Sequence, residues 1–205
     1  MTGHDLSKAG TSVDFLPPRR LRGPHLQSIY PSLPFRRRSV ERRCAQLLEA
    51  SRDVLVDCGD GVRLLAHVAA HEAAPGSRPL AVLIHGWEGS SSSLYLLSLA
   101  QTLFSVGYDV ARLNLRDHGD SHHLNEEIFH SCRIGEVVGA IRSLHLMHPG
   151  QRLCLAGFSL GGNFSLRVGT RAANAGIDIS RIVAICPVLD PEHTLARLES
   201  GWALY

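Results

Sequence analysis

The chain has 205 residues, and 44% of them are hydrophobic, which is enough for one α/β domain with a sizeable core. A formal net charge of +2 gives no overall attraction to nucleic acid. No apolar run reaches the length of a membrane span, and the first residues lack the apolar segment of a signal peptide. We therefore expect no nucleic-acid partner and no stable membrane insertion.

The cysteines are scattered along the chain, with no C-x-x-C pair among the five. Cys154 and Cys186 fall inside apolar segments that predict strands. We therefore expect free, buried thiols rather than a disulfide framework. Free thiols are typical of a reducing compartment, so the sequence predicts a cytoplasmic location.

Residues 1–52 form the first predicted unit, an irregular and basic N-terminal arm packed on the core. Prolines recur through this segment and argue against regular structure, and arginines cluster between them. Such a charge cluster can attract anionic lipid or an acidic substrate. A solvated face with salt bridges to the core is the favoured interpretation, because no apolar face accompanies the charges. A weak contact with a membrane surface stays open.

Residues 53–205 form the second predicted unit, an α/β core. Residues 53–58 and 62–69, joined by Gly59-Asp60-Gly61, predict a β-hairpin. Apolar runs and apolar spacings of three and four then alternate along the chain. They predict strands over 79–85, 108–115, 153–157 and 181–188, and helices over 94–106, 126–147 and 160–175. Strands separated by helices indicate a mostly parallel sheet with helices on both faces, so the fold class is α/β.

The segment GFSLG, residues 157–161, is a G-x-S-x-G sequence between a predicted strand and a predicted helix. In that context it is typical of a nucleophile elbow, whose strained turn holds a serine at the helix N-terminus between small residues. We therefore predict Ser159 as the nucleophile and the backbone N–H of Leu160 as an oxyanion donor. The alternative is a Gly/Ser-rich loop with a chance match.

Two further loops follow predicted strands, where α/β folds place their sites. The loop HGWEG, residues 85–89, lies where the second oxyanion donor is expected, and we assign that donor to the backbone N–H of Trp87. His85 is expected to pack beneath the site. The loop over residues 116–123 is rich in Asp and His, but its spacing matches no metal motif, and the chain has no phosphate-binding or dinucleotide-binding glycine pattern. We predict no metal and no cofactor.

The order of HGWEG, LNLRDHGDS and GFSLGGN resembles the α/β-hydrolase superfamily. The segments GPHLQSIYP, HGWEGSSSSLY and NEEIFHSCR resemble the YheT-type branch of serine esterases, and the likeness runs over about residues 15–190. The resemblance implies the α/β-hydrolase fold and a serine hydrolase with a Ser-Asp-His triad. It implies a small-molecule substrate, a short-to-medium acyl ester or an acylglycerol, and a place in lipid metabolism.

In this superfamily the acid and the histidine of the triad follow the nucleophile along the chain. After the predicted helix that follows Ser159, Asp190 and His193 have suitable chemistry, and no strand is predicted beyond residues 181–188. Asp190 is the candidate acid; the competing interpretation is a helix cap with Pro191 in the first turn. We expect an N-terminal portion of a longer hydrolase that lacks the last two strands of the fold, because the sixth strand would otherwise be an open edge.

Three functions are compatible with these patterns. The first is a carboxylic ester hydrolase that acts through Ser159. The second is a non-catalytic binding module on the same fold, or a truncated inactive product. The lack of an evident triad histidine after Ser159 favours this second function. The third is a thioesterase or acyltransferase, because a fold does not determine the reaction.

Overall fold

The computed structural model describes residues 16–30, 33–72, 76 and 78–200. A six-stranded sheet with the order β1-β2-β4-β3-β5-β6 forms its centre. The strands are β1 (Ser51–Asp57), β2 (Arg63–Ala69), β3 (Leu80–Ile84), β4 (Asp109–Leu113), β5 (Leu153–Phe158) and β6 (Ile179–Ile185). β2 is antiparallel to both β1 and β4, whereas the pairs among β4, β3, β5 and β6 are parallel.

The α-helices among the described residues are α1 (Pro24–Ile29), α2 (Pro34–Arg43), α3 (Ala45–Ala50), α4 (Leu94–Ser105), α5 (Ile134–Met147), α6 (Leu160–Gly169) and α7 (Pro191–Ser200). Helices α2 to α6 cover the two faces of the sheet. Apolar residues of α5 and α6 pack in one core cluster, and those of α2, α3 and α4 pack in the other. β3 and β4 are buried at every position, as expected for strands covered on both faces. The predicted α/β class and the mostly parallel sheet are confirmed.

The N-terminal arm is more regular than its prolines indicated. Pro24 and Pro34 lie in the first turns of α1 and α2. Backbone N–H groups in a first turn make no hydrogen bond within the helix, so proline is tolerated there. Val40, Cys44 and Leu47 are buried against the second core cluster. The expectation of irregular structure over residues 1–52 is therefore wrong for residues 24–29, 34–43 and 45–50, while residues 1–15, 31 and 32 lie outside the described ones. The division at residue 52 stays a prediction.

The predicted helix over 126–147 begins later, at Ile134. The preceding loop is held by side chains that follow β4: Asp117 Oδ2 accepts the N–H of Phe129 at 2.7 Å, and Arg116 Nη1 donates to the carbonyl of Glu127 at 3.0 Å. These bonds come from polar side chains 11 and 12 positions earlier in the chain, so an apolar pattern within the segment could not reveal them. The next predicted helix, 160–175, likewise ends earlier, at Gly169.

β6 is an edge strand, because it pairs with β5 and no other described strand covers its second edge. Val183 on this strand is 52% exposed. The strand ends at Ile185, so Cys186 lies in the following loop and is exposed, and the expectation of a buried thiol there is wrong. Cys154 is half-buried. No helix within the described ranges is long and apolar enough to cross a membrane.

Candidate active site

Non-glycine residues with strained backbone cluster at the carboxyl ends of the parallel strands. Glu88, Asp117, Ser159 and Cys186 have φ values of 55°, 59°, 52° and 46°, and they follow the carboxyl ends of β3, β4, β5 and β6 in that order. Non-glycine residues rarely adopt this left-handed conformation, and such strain concentrates at functional sites. The carboxyl ends of the parallel strands are therefore the expected location of an active site.

Ser159 forms the turn between β5 and α6, with φ 52° and ψ −114°. Its N–H donates to the carbonyl of Ile185 at 2.9 Å, and its carbonyl accepts the N–H of Asn163 at 3.0 Å. The backbone of this residue is therefore held on both sides. The Ser159 side chain lines a cavity of about 550 Å³ above the sheet edge.

Two glycines make this turn possible by close approach. A Cβ on Gly161 would lie 2.4 Å from the carbonyl oxygens of both Ile84 and His85, and one on Gly157 would lie 2.2 Å from the carbonyl oxygen of Gly161. Carbon atoms cannot approach backbone oxygens this closely, so both positions require glycine. The predicted need for small residues around Ser159 has this physical cause.

A matched pair of glycine variants tests this packing. Gly161→Ala is expected to lower the free energy of unfolding by about 3 kcal/mol, near the upper end of overpacking penalties. Gly135→Ala in α5 meets no atom within 4 Å and should stabilise by up to about 1 kcal/mol through helix propensity. Urea unfolding measures both changes, and equal stabilities of the two variants would refute the described contact.

The two predicted oxyanion donors lie with the nucleophile. Trp87 and Leu160 line the same cavity as Ser159. Their N–H groups donate no backbone hydrogen bond within the part of the chain that the structure describes. Leu160 is also the first residue of α6, where the helix dipole favours negative charge. The site therefore has two unpartnered donors beside Ser159, and their role towards an oxyanion stays a prediction.

His85 lies beneath the site, fully buried. Its Nδ1 is 2.7 Å from the carbonyl oxygen of Gly86, and its Nε2 accepts the N–H of Leu115 at 3.1 Å. Nδ1 therefore carries the proton, and burial lowers the pKa of His85 to about 4. Both ring nitrogens are occupied by backbone groups, which agrees with a packing role and leaves this histidine no access to Ser159.

This histidine gives the stability a pH dependence. The unfolded chain binds a proton at His85 below its ordinary pKa of 6.5, whereas the folded chain does so only below about 4. Acid therefore favours unfolding in that interval. His85 should lower the free energy of unfolding by about 3 kcal/mol as the pH falls from 6.5 to about 4. Urea unfolding across this range measures it. The slope of the free energy of unfolding against pH should decrease in His85→Gln and persist in His193→Gln. An unchanged slope in His85→Gln would contradict the lowered pKa of His85.

The cavity walls come from three further segments. Phe129, His130 and Ser131 precede α5; Asn163 and Arg167 lie on α6; and Val188, Pro191, Thr194 and Leu195 follow β6. Asn163 Nδ2 donates to the carbonyl of Val188 at 2.7 Å, and Arg167 Nη1 donates to the carbonyl of Ser131 at 2.7 Å. α6 thus ties both flanking loops to the nucleophile. Asn163 belongs to the segment GFSLGGN, and Phe129, His130 and Ser131 belong to NEEIFHSCR, whereas Arg167 lies in none of the quoted segments.

The lining combines apolar side chains with basic ones. No aspartate or glutamate lines the cavity among the described residues, whereas Arg167 and His130 do. The Arg167 guanidinium lies 5.2 Å from the centre of the Phe164 ring. A neutral or anionic ligand is therefore electrostatically favoured over a cationic one.

Asp190 caps the helix that follows it. Its Oδ1 accepts the N–H of His193 at 2.9 Å, with Pro191 as the first residue of α7. Val188 and Pro191 line the cavity, but Asp190 does not. Within the described residues, no histidine ring hydrogen-bonds Ser159, and His130 is the one histidine that lines the same cavity. Asp190 as the acid of a triad stays a prediction.

Comparisons with known proteins agree with this architecture. Residues 79–205 match the family model described as alpha/beta hydrolase fold. The chain is 26% identical over 163 residues to the Escherichia coli (strain K12) protein named "Putative esterase YheT", and the match covers 80% of this chain and 45% of that protein. It is 34% identical over 140 residues to the hormone-sensitive lipase of Mus musculus, which covers 63% of this chain and 17% of the lipase.

Among solved structures, the Pyrococcus furiosus esterase Pf2001 superposes with a TM-score of 0.62 at 22% identity, covering 75% of this chain and 57% of that one. A likeness at this identity shows the fold. The chain spans less than half the length of the two curated relatives above and 57% of the solved esterase. The predicted superfamily and the resemblance to YheT-type proteins are confirmed.

Proposed function

The chain belongs to the α/β-hydrolase fold family, and we propose that it is a serine hydrolase that cleaves carboxylic esters through an acyl-enzyme on Ser159. One observation carries the proposal: Ser159 has a strained backbone at the N-terminus of α6 and shares a cavity with two N–H groups that have no backbone partner. A serine held in this way is the arrangement that acyl transfer requires.

The proposed reaction proceeds in two halves. The Ser159 hydroxyl attacks the ester carbonyl carbon while its proton passes to a histidine base, and the N–H groups of Trp87 and Leu160 stabilise the tetrahedral oxyanion. The intermediate expels the alcohol, which takes the proton from the base. Water then attacks the acyl-enzyme by the same route and releases the carboxylic acid and the serine. The described residues place no histidine base on Ser159, and Asp190 is the candidate for the acid partner of that base.

The cavity supports a small-molecule ester as substrate. A volume of about 550 Å³ lies within the range of small-ligand sites, and Phe129, Leu160, Val188 and Leu195 provide apolar contact for an acyl chain. We propose short-to-medium acyl esters or acylglycerols as the substrate class. Cys44 and Cys58 are free and buried, which supports the proposed cytoplasmic location.

A substrate panel tests the reaction class. We expect 4-nitrophenyl esters from acetate to laurate to be hydrolysed, with kcat/KM highest for short or medium chains and far lower for the matched anilide. Faster turnover of the matched thioester would favour the thioesterase or acyltransferase alternative instead. Saturable binding of the esters by the folded chain, without turnover, would favour a non-catalytic module.

A further inference from the structure

Tyr95 contacts the loop after β3 and the end of β5 from outside the cavity that Ser159 lines. It lies in the first turn of α4, and its hydroxyl oxygen accepts the N–H of Gly86 at 2.9 Å. Its ring lies 4.7 Å from the ring of Phe158, the residue before the nucleophile. One side chain thus holds the loop after β3 against the end of β5.

The loop at this contact is a tight turn with little free space. The N–H of Gly89 donates to the carbonyl of Gly86 at 3.1 Å. A Cβ on Gly89 would lie 2.6 Å from the Tyr95 hydroxyl oxygen, and a Cβ on Gly86 would lie 3.3 Å from the Cβ of Ser159. The turn therefore passes directly beside the nucleophile, with the hydroxyl seated against it.

The peptide planes on either side of Gly86 are both held. Tyr95 fixes the N–H of the His85–Gly86 peptide, while His85 Nδ1 and the N–H of Gly89 both bond to the carbonyl of the Gly86–Trp87 peptide. Because a trans peptide is planar, a fixed Gly86 carbonyl fixes the opposite direction for the N–H of Trp87. Glycine at this position would otherwise allow many orientations, so these bonds determine where that donor points.

We propose that Tyr95 is a positioning residue for the oxyanion hole: its hydroxyl holds Gly86 so that the N–H of Trp87 points at the developing oxyanion. The inference depends on the proposed function, because it takes the N–H of Trp87 as an oxyanion donor. Tyr95 does not line the cavity with Ser159, so it acts through the loop and not on the substrate.

The test compares Tyr95→Phe with Tyr108→Phe. Both changes remove one hydroxyl and keep the ring, and the Tyr108 hydroxyl makes no hydrogen bond among the described residues. Tyr95→Phe should lower kcat on a 4-nitrophenyl ester about 10-fold to 100-fold with KM within about twofold, since the oxyanion develops only in the transition state. It should also speed amide hydrogen exchange at Gly86, measured by NMR. Tyr108→Phe should change neither quantity.

The two readouts separate the possible failures. Faster exchange at Gly86 with an unchanged kcat would overturn the positioning role, and so would a loss that appears in KM alone. Unchanged exchange at Gly86 would overturn the hydrogen bond itself. A wild-type protein that hydrolyses no ester, with or without added imidazole as a soluble base, would instead refute the proposed function, while the exchange measurement would still report on the hydrogen bond.

Discussion

Replacing Ser159 with alanine is expected to abolish ester hydrolysis through the acyl-enzyme, with kcat lower by at least about 100-fold. Ser159 is the residue with a strained backbone at the start of α6, and alanine removes the attacking oxygen while adding no atom. The stability should change little, because no hydrogen bond of the Ser159 hydroxyl is present among the described residues. Rates on a 4-nitrophenyl ester and urea unfolding measure the two effects.

Ser105→Ala provides the control for this experiment. Ser105 ends α4, and its hydroxyl donates to the carbonyl of Thr102 at 2.8 Å, away from the cavity. This variant should retain wild-type turnover. A Ser159→Ala protein that keeps more than about one hundredth of the wild-type kcat would show that another nucleophile carries the reaction.

Replacing Glu136 with glutamine is expected to lower the free energy of unfolding by about 3–5 kcal/mol. Arg116 Nε and Nη2 donate to Glu136 Oε2 at 3.0 and 2.8 Å, and the two side chains are only 3% and 6% exposed. The carboxylate raises the pKa of Arg116, so the guanidinium stays charged. Removal of the negative charge would leave that cation buried without the carboxylate that its Nε and Nη2 groups contact.

Glu136→Gln should also affect the cavity that Ser159 lines. Arg116 also holds the carbonyl of Glu127 in the loop that brings Phe129 and His130 to the cavity. The matched control is Glu41→Gln, which breaks the exposed Arg37–Glu41 pair at 3.5 Å and should cost less than about 0.5 kcal/mol. Urea unfolding compares the two variants. Similar losses in both would contradict the importance of burial for the Arg116–Glu136 pair.

The sheet and the elbow could be predicted from sequence because their signals are local. The continuous apolar runs of β3 and β4 reflect burial on both faces, and GFSLG carries its glycines where the close approaches occur. The arm was harder to predict because Pro24 begins a helix as readily as it breaks one. The late start of α5 depends on bonds from Arg116 and Asp117, which no local pattern contains.

The same distinction applies to the candidate site. Ser159, Leu160 and Trp87 were predicted as one site because they occupy motif positions beside strands, and the three line one cavity. Tyr95 and Arg167 were missed, because the acceptor role of the Tyr95 hydroxyl and the bond from Arg167 to the Ser131 carbonyl exist only in the folded chain. The bond between Asp190 and the N–H of His193 agrees with the helix-cap interpretation and does not test a catalytic one.

The most direct test of the central claim is covalent labelling of the folded chain with a fluorophosphonate, mapped by mass spectrometry. Labelling should be measured with and without added imidazole, a soluble base that can replace a histidine that the described residues do not place beside Ser159. We predict one adduct on Ser159, formed faster with imidazole and absent from Ser159→Ala. A folded chain that forms no adduct at Ser159 under either condition, or an alanine variant that labels equally, would contradict the assignment of Ser159 as the nucleophile.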